Sequence, residues 1–171
     1  MIKEYIRSYK DFPVKGIDFK DTSSLCNSKG FNIANNFMYS ELLKYMPCDK
    51  IVGIDARGFI FASVLAFRTR QPLVLCRKQG KLPGPTVSKE FDLEYGTDKL
   101  EIQSDAISRG DRIIIVDDLM ATGGTMCAVI DMIKEFNAEV VAVSCVINLN
   151  TLGGADKMHE QKIPFYAAVE Y

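Results

Sequence analysis

Short, uninterrupted apolar runs recur along the chain, and this recurrence restricts its fold more than any other feature. The runs are rich in β-branched residues and separated by longer mixed segments: IVGID (51–55), PLVLC (72–76), RIIIV (112–116), VVAVSCVI (140–147) and PFYAAV (164–169). A strand that is apolar on both faces must be covered on both faces, which is typical of parallel sheets. An α/β fold with a parallel sheet is therefore predicted.

The segments between these runs have the periodicity of helices. Apolar residues recur at helical spacing between Phe31 and Tyr45, and Pro47 ends that segment. Further helices are predicted over 58–70, 125–136 and 151–161. The alternation indicates a Rossmann-like sheet of about five parallel strands flanked by helices. Ligands of such sheets bind beyond the carboxyl ends of the strands, so the residues after each strand are candidates.

Size and charge exclude several classes of protein. A chain of 171 residues fits one domain, and its net charge of -1 gives no overall basic field for nucleic acid or a membrane surface. No apolar run approaches the roughly 18 residues of a membrane span, and the N-terminal segment lacks the apolar core of a signal peptide. Five cysteines without a CxxC pair predict reduced core thiols in a cytoplasmic protein. The single histidine, His159, lies among polar residues, which makes histidine-based catalysis an unfavoured reading.

The segment IIIVDDLMATGGT (113–125) carries the strongest functional signal. The strand is expected to deliver Asp117 and Asp118 to the carboxyl edge of the sheet. Small residues then allow a tight turn whose N–H groups converge on a phosphate at the start of the next helix; they are Ala121, Thr122, Gly123, Gly124 and Thr125. Carboxylates beside such a cradle suit ribose hydroxyls or hydrated magnesium. Neither a Walker A loop nor a GxGxxG dinucleotide motif is present.

Two further segments contain candidate groups for a second anion. Arg57 stands beside Gly58 after the first of the apolar runs, where a guanidinium and helix N–H groups can share one anion. The polar segment 78–99 has no clear period and is interpreted as a mobile lid or a hairpin. It would bring Lys81 to a leaving anion and Glu94 to a proton, although a solvated charged loop is the alternative.

The N-terminal segment DFPVKGIDFKD (11–21) predicts an ordered, non-helical arm, because a proline and a glycine separate its aromatic residues. Phe19 in this arm is either a core residue or a stacking partner for a flat ligand. The residues alone leave both possibilities open.

Together these segments resemble a known family. IIIVDDLMATGGT is similar to the phosphoribosyl diphosphate signature of type I phosphoribosyltransferases. Five other segments resemble the adenine phosphoribosyltransferases in order and spacing: IRSYKDFPVKGIDFKD, GIDARGFIFA, RKQGKLPGPT, LEYGTDKLEI and INLNTLGGADKM. The resemblance extends from about Ile6 through nearly the whole chain.

The resemblance implies transfer of a phosphoribosyl group from phosphoribosyl diphosphate to adenine, with magnesium, giving AMP and pyrophosphate. It implies a homodimer, and one domain over 1–171 with a hood from about 1–27 and 148–162 and a flexible loop at about 78–99. Magnesium would be held mainly through substrate and water, with no direct protein ligand.

The resemblance also assigns roles to individual residues. Residues 121–125 would hold the 5-phosphate, and Asp117 and Asp118 the ribose hydroxyls. Arg57 and Lys81 would hold pyrophosphate, Arg77 would reach the partner's site, and Glu94 would handle the proton near purine N7. The base would contact the side chain of Phe19, the backbone of Asp18 and Lys20, and Leu149. The Asp55–Ala56 peptide bond is implied to be cis.

Two residues depart from the family pattern. Ala56 stands where serine is expected, which removes one hydroxyl contact, and Asp18 stands where an apolar residue is usual. Other functions therefore stay open: transfer to another purine base, or a non-catalytic sensor of phosphoribosyl diphosphate. A nucleotide hydrolase is disfavoured by the lack of a P-loop.

Overall fold

The computed structural model describes residues 1–92 and 97–171. Within these ranges the strands are β1 (Arg7–Lys10), β2 (Asp18–Asp21), β3 (Lys50–Ile54), β4 (Leu73–Lys78), β5 (Thr86–Asp92), β6 (Thr97–Gln103), β7 (Arg112–Met120), β8 (Glu139–Asn148) and β9 (Phe165–Glu170). The α-helices are α1 (Thr22–Cys26), α2 (Gly30–Leu42), α3 (Gly58–Thr69), α4 (Gly124–Glu135) and α5 (Gly154–Glu160). Short 3-10 helices lie at 2–5, 43–45 and 150–152.

The main sheet joins five parallel strands to an antiparallel hairpin. In the described ranges its order is β5-β6-β4-β3-β7-β8-β9. Five adjacent strands in this order are mutually parallel, namely β4, β3, β7, β8 and β9. Strand β6 is antiparallel to both β4 and β5. The predicted α/β class and the core of about five parallel strands are confirmed. The apolar runs form these strands because both faces of the sheet are covered.

Apolar clusters cover the two faces of the sheet. One cluster includes residues of α2 and α3 together with Ile114 and Val116 of β7. The other includes residues of α4 together with Ile113 and Ile115 of the same strand. Successive residues of β7 therefore face opposite layers, as the period of a strand requires. This buried strand holds the functional loop in a fixed position at its carboxyl end.

The polar segment 78–99 contributes strand structure to the sheet edge. β5 and β6 pair along their lengths, from Thr86 opposite Gln103 to Asp92 opposite Thr97. Val87 and Phe91 pack against the α4 layer, and Leu100 and Ile102 are fully buried there. The antiparallel pairing of β5 and β6 agrees with the hairpin interpretation of this segment. Its closure over a ligand, as a lid, remains a prediction.

The N-terminal arm forms a second, small sheet in which β1 and β2 are antiparallel. The Phe12–Pro13 peptide bond in the connection is cis. This arrangement agrees with the predicted ordered, non-helical arm. No helix in the described part of the chain is long and apolar enough to cross a membrane.

Candidate active site

Strand β7 extends beyond its neighbour β3, and the two candidate carboxylates lie on the extension. The last paired residues of β3 and β7 are Gly53 and Val116, whereas β7 continues beside β8 to Met120. Asp117 and Asp118 follow Val116 directly, so both lie beyond the last residue pair of β3 and β7. The sequence predicted a strand ending at 116; it is four residues longer because β8 supplies hydrogen-bonding partners.

Asp118 is buried and bound by groups from two other elements. Its Oδ2 lies 2.8 Å from Arg57 Nε and accepts a hydrogen bond of 3.1 Å from Thr22 Oγ1. Burial raises the pKa of Asp118, while Arg57 and Thr22 act in the opposite direction. The carboxylate is thus held in a defined orientation, next to a cation that starts α3. Thr22 was not identified from the sequence, since 96 residues separate it from Asp118.

Asp117 lies close to the start of α3. Its Oδ1 accepts a 2.8 Å hydrogen bond from the backbone N–H of Asp118. A Cβ at Gly58 would lie 2.7 Å from the same oxygen, so only glycine fits there without a shift. Removal from water, with the neighbouring charge of Asp118, raises the pKa of Asp117 well above its usual range.

The loop after β7 forms a small concave cradle at the start of α4. Residues 121–125 line a cavity of about 140 Å³ together with Asp117 and residues of β7. Gly123 has a φ of 78°, a conformation that L side chains rarely adopt, and α4 begins at the next residue. The free N–H groups and the positive end of the α4 dipole therefore meet at this cavity, an arrangement that suits a phosphate.

The segment from the end of β8 to the start of α5 is hydrogen-bonded to the backbone of the cradle. The Gly154 N–H donates to Ala121 O at 3.0 Å, and the Leu149 N–H donates to Met120 O at 2.9 Å. A Cβ at Gly154 would overlap Ala121 O and lie 2.9 Å from Met120 Sδ. Gly154 is therefore required by close approach. It was not singled out from the sequence, because nothing near it in the chain indicates the contact with residue 121.

A second group of charged side chains lies around the carboxyl ends of β3 and β4. Arg77 Nε is 3.2 Å from Asp55 Oδ2, and Arg77 Nη1 donates to Lys81 O at 3.1 Å. The Asp55–Ala56 bond is cis, as the resemblance implied. Arg57 follows it directly, so Arg57, Arg77 and Lys81 are brought to one end of the sheet.

A buried acid completes this group. Glu101 in β6 is 5% exposed. Its Oε1 accepts from the N–H groups of Lys81 at 3.1 Å and Leu82 at 3.0 Å. Its Oε2 lies 3.4 Å from the Thr86 hydroxyl. Glu101 was not singled out from the sequence, because an acid between Leu100 and Ile102 in an alternating strand indicates a side chain that faces solvent.

The small N-terminal sheet places Phe19 beside the cationic group. The Arg57 guanidinium carbon is 5.5 Å from the centre of the Phe19 ring, and Phe12 meets the same ring edge-on at 5.2 Å. Phe19 is partly exposed. Its placement agrees with a stacking surface next to the anion group and disfavours a purely buried role.

Asp18 and Lys20 flank Phe19 and form a contact of their own. Lys20 Nζ is 2.8 Å from Asp18 Oδ2, donates to Ser8 Oγ at 2.9 Å and lies 4.3 Å from the Tyr171 ring centre. The Lys20 side chain is only 10% exposed. Since residues 18 and 20 alternate with residue 19 along β2, their side chains face away from the ring face of Phe19. The unusual Asp18 is thus satisfied by an ion pair.

Most of the predicted site residues converge on the carboxyl edge of the sheet, from the cradle at 121–125 to the charged groups at 55–57 and 77–81. Leu149 reaches the same edge through its hydrogen bond to Met120. Glu94, the predicted proton acceptor, lies outside the described residues.

The arrangement combines two separate regions that are suited to anions, with carboxylates between them. The cradle offers backbone N–H groups, whereas Arg57 and Lys81 offer side-chain cations. Asp117 and Asp118 lie between the cradle and Arg57, where hydroxyl groups of a ligand can be bound. Such a site fits a sugar that carries a phosphate at one end and a second anionic group at the other.

Comparison with known sequences identifies the family. Residues 22–169 match the phosphoribosyl transferase domain. An adenine phosphoribosyltransferase of Citrifermentans bemidjiense is 47% identical over 163 residues, which cover 95% of this chain and 95% of the relative.

Solved structures agree with this match. The crystal structure of adenine phosphoribosyltransferase from Thermoanaerobacter pseudethanolicus has a TM-score of 0.92 and 38% identity, covering 99% of this chain and 98% of the other. The Saccharomyces cerevisiae enzyme, solved with an imino-altritol bisphosphate and adenine, has a TM-score of 0.88 and 33% identity, covering 98% and 96% of the two chains.

Proposed function

The chain belongs to the phosphoribosyl transferase family, and from this premise we propose that it transfers the 5-phosphoribosyl group of phosphoribosyl diphosphate to adenine. The products are AMP and pyrophosphate, so the reaction salvages a purine base. The observation that carries the proposal is the cradle at 121–125 with Asp117 and Asp118 beside it and Arg57 opposite. Curated relatives of nearly the same length are named for this activity.

The cradle and the two carboxylates bind the sugar. Backbone N–H groups of 121–125 hold the 5-phosphate, helped by the hydroxyls of Thr122 and Thr125. Asp117 and Asp118 accept hydrogen bonds from the ribose hydroxyls. Binding must exchange the Arg57–Asp118 contact for contacts to the substrate, because the ribose and pyrophosphate compete for these two side chains.

The cationic group stabilises the leaving anion. When the bond from ribose C1 to the pyrophosphate oxygen breaks, negative charge develops on pyrophosphate and positive charge on the ribose. Arg57 and Lys81 compensate the first charge, and the Asp117–Asp118 pair lies near the second. Holding purine and sugar in line replaces a bimolecular encounter with a local one.

The base lies between Phe19 and Leu149, with backbone groups of Asp18 and Lys20 at its polar edge. Purine N9 attacks ribose C1, and the purine must lose a proton as the bond forms. Glu94 accepts this proton near N7 as general base. The hairpin that carries Glu94 also excludes water, which would otherwise hydrolyse the activated sugar.

Magnesium fits the residues present as a partner of the substrate. The described residues contain no group of three or more His, Cys, Asp or Glu side chains arranged around one metal position. Asp117 and Asp118 nevertheless offer hard oxygen atoms next to the phosphate positions, the kind that magnesium combines with water and phosphate. When bound with phosphoribosyl diphosphate, the ion supplies charge compensation for the leaving group.

A second copy of the chain covers an apolar stripe on α3. Ile60 and Phe67 are exposed two helical turns apart, Phe67 at 85%, and Leu75 of β4 is also exposed. Arg77 lies two residues after Leu75 and thus on the same face of the strand. A homodimer through this stripe would bring Arg77 close to the partner's site. Light scattering should detect dimers that Phe67→Ser converts to monomers, while Leu43→Ser in the 3-10 helix at 43–45 leaves them intact.

The cytoplasm is the proposed compartment. All five cysteines are free thiols. Burial raises the pKa of Cys145 and Cys76, which keeps both thiols protonated and unreactive. Unpaired thiols support a reducing environment.

One assay tests the proposed activity. Phosphoribosyl diphosphate and magnesium are incubated with adenine, hypoxanthine, guanine or xanthine, and nucleotide and pyrophosphate are measured. We expect product with adenine and little with the other bases. Turnover with another base would reassign the substrate, and binding of phosphoribosyl diphosphate without turnover of any base would indicate a sensor.

A further inference from the structure

Both backbone polar groups of Lys81 are bound by side chains of the sheet. Its N–H lies 3.1 Å from Glu101 Oε1 and is shared with Lys78 O at 3.2 Å. Its carbonyl oxygen accepts from Arg77 Nη1 at 3.1 Å, and Arg77 is itself held by Asp55. The peptide groups of a loop residue are thus fixed from two directions.

The anchors of this contact are rigid. Arg77 and Glu101 are direct cross-strand partners in β4 and β6, so their side chains lie on the same face of the sheet. The neighbouring residues of β6, Leu100 and Ile102, are fully buried on the other face. Movement of Glu101 would therefore require the hairpin to shift as a whole.

Glu101 differs from the other acids of the site in its partners. It is 5% exposed, and no ion pair within residues 1–92 and 97–171 involves its carboxylate. Its bonds go instead to two backbone N–H groups and one hydroxyl. A buried acid costs free energy unless its acceptors are satisfied, so this carboxylate stabilises one conformation of the 81–82 turn.

We propose that Glu101 is a positioning residue that sets the location of the Lys81 side chain over the leaving pyrophosphate. The proposal rests on the proposed function, and it adds a residue that acts through Lys81 without touching the substrate. A flexible lysine loses conformational freedom when it binds an anion, and fixing its backbone beforehand lowers that loss. Compensation of the pyrophosphate charge by Lys81 then depends on Glu101, which accepts hydrogen bonds from the N–H groups of Lys81 and Leu82.

The first test separates acceptor geometry from negative charge. Glu101→Gln keeps an oxygen for both N–H groups and can donate to Thr86 Oγ1, so we expect turnover within about three-fold of wild type. Glu101→Ala leaves two N–H groups without their acceptor. We expect it to lower kcat by about 10- to 100-fold and to weaken pyrophosphate inhibition, while KM for adenine stays near wild type. An equal loss in Glu101→Gln would overturn the proposal.

A double-mutant cycle with Lys81 tests the route of the effect. If Glu101 acts through Lys81, then Glu101→Ala should change kcat by less than about two-fold in a Lys81→Ala background. A purely structural role would instead lower kcat by the same factor in both backgrounds, and that additive result would refute the proposal.

Amide exchange supplies a readout independent of catalysis. The N–H protons of Lys81 and Leu82 should be protected in the wild type and in Glu101→Gln, and should exchange faster in Glu101→Ala. If Glu101→Ala does not fold, Glu101→Asp replaces it, because the shorter side chain withdraws the carboxylate from both groups. Unchanged exchange with unchanged kcat would overturn the proposal. A wild type without turnover of adenine would instead refute the proposed function alone.

Discussion

The two proposed anion-binding regions of this site are built in opposite ways. The cradle at 121–125 consists of backbone between β7 and α4, and its shape depends on close approaches such as Gly154 to Ala121. The other region consists of residues with long cationic side chains. Asp118 and Asp55 hold the side chains of Arg57 and Arg77, and Glu101 holds the backbone of Lys81. The first region is sensitive to shape, whereas the second is sensitive to charge and to its supporting acids.

This difference decides what a substitution does. A backbone cradle is lost only when the chain is displaced, so the damaging changes add atoms behind it. The side-chain region is lost when a functional group is removed, even where the fold stays intact.

Glu94→Gln should give the largest loss of turnover. Replacing the proposed general base by a neutral amide removes proton transfer in the transition state, and we expect kcat to fall by about 10² to 10⁴. Steady-state kinetics with adenine measure the effect. Glu90→Gln in β5, also on the hairpin, serves as the control and should retain activity. Near-normal turnover of Glu94→Gln with chemistry rate-limiting would remove this role.

Arg57→Gln should lower kcat/KM for phosphoribosyl diphosphate by about 10² to 10³, because one charged donor to the leaving group is lost. It should also raise the pKa of Asp118, since Arg57 favours the ionised carboxylate. The acidic limb of the pH profile should therefore move to higher pH. Arg109→Gln changes an exposed arginine and should leave both quantities unchanged. A loss confined to KM for adenine would contradict the assignment.

Gly154→Ala tests the backbone region by adding one methyl group behind the cradle. We expect a destabilisation of about 1–3 kcal/mol from the overlap with Ala121 and Met120. KM for phosphoribosyl diphosphate should rise about 10-fold, because the 5-phosphate cradle is displaced. The control is Gly110→Ala, where φ is 85° and a Cβ has open space, so stability falls without a change in KM. Equal KM values in the two variants would argue against the shape requirement.

Asp117→Asn should increase stability while it impairs sugar binding. The pKa of Asp117 is raised on folding, so its ionised form costs free energy in the native state at neutral pH. The amide removes this cost, and we expect unliganded protein to gain about 0.5–2 kcal/mol. The gain should shrink as pH falls through the native pKa, because the wild-type carboxyl then takes up a proton. Urea unfolding at several pH values measures it, with exposed Asp105→Asn as the unchanged control.

The parallel core and the cradle were predictable because their signals are local. Uninterrupted runs such as IIIV at 113–116 indicate buried strands, and the small residues after them indicate a tight turn at a helix start. The family resemblance added residue roles that these patterns could not supply.

The supporting contacts were not predictable because they join distant parts of the chain. Thr22 and Asp118 are 96 residues apart, and Gly154 meets Ala121 from another element. The hairpin was one of two interpretations of 78–99, but its strands were not located, for a related reason. Lys89 interrupts the apolar face formed by Val87 and Phe91, and the pairing of β6 with Arg77 and Lys78 depends on β4.

The hydrogen bonds between the β8–α5 connection and the end of β7 have a consequence for ligand binding. Leu149, proposed to contact the base, is bonded to Met120, and Gly154 is bonded to Ala121 of the phosphate cradle. One short segment, 149–154, is thus hydrogen-bonded next to both proposed substrate positions. Any adjustment of that segment by one ligand changes the free energy of binding the other, and thermodynamic linkage makes this cooperativity equal in both directions.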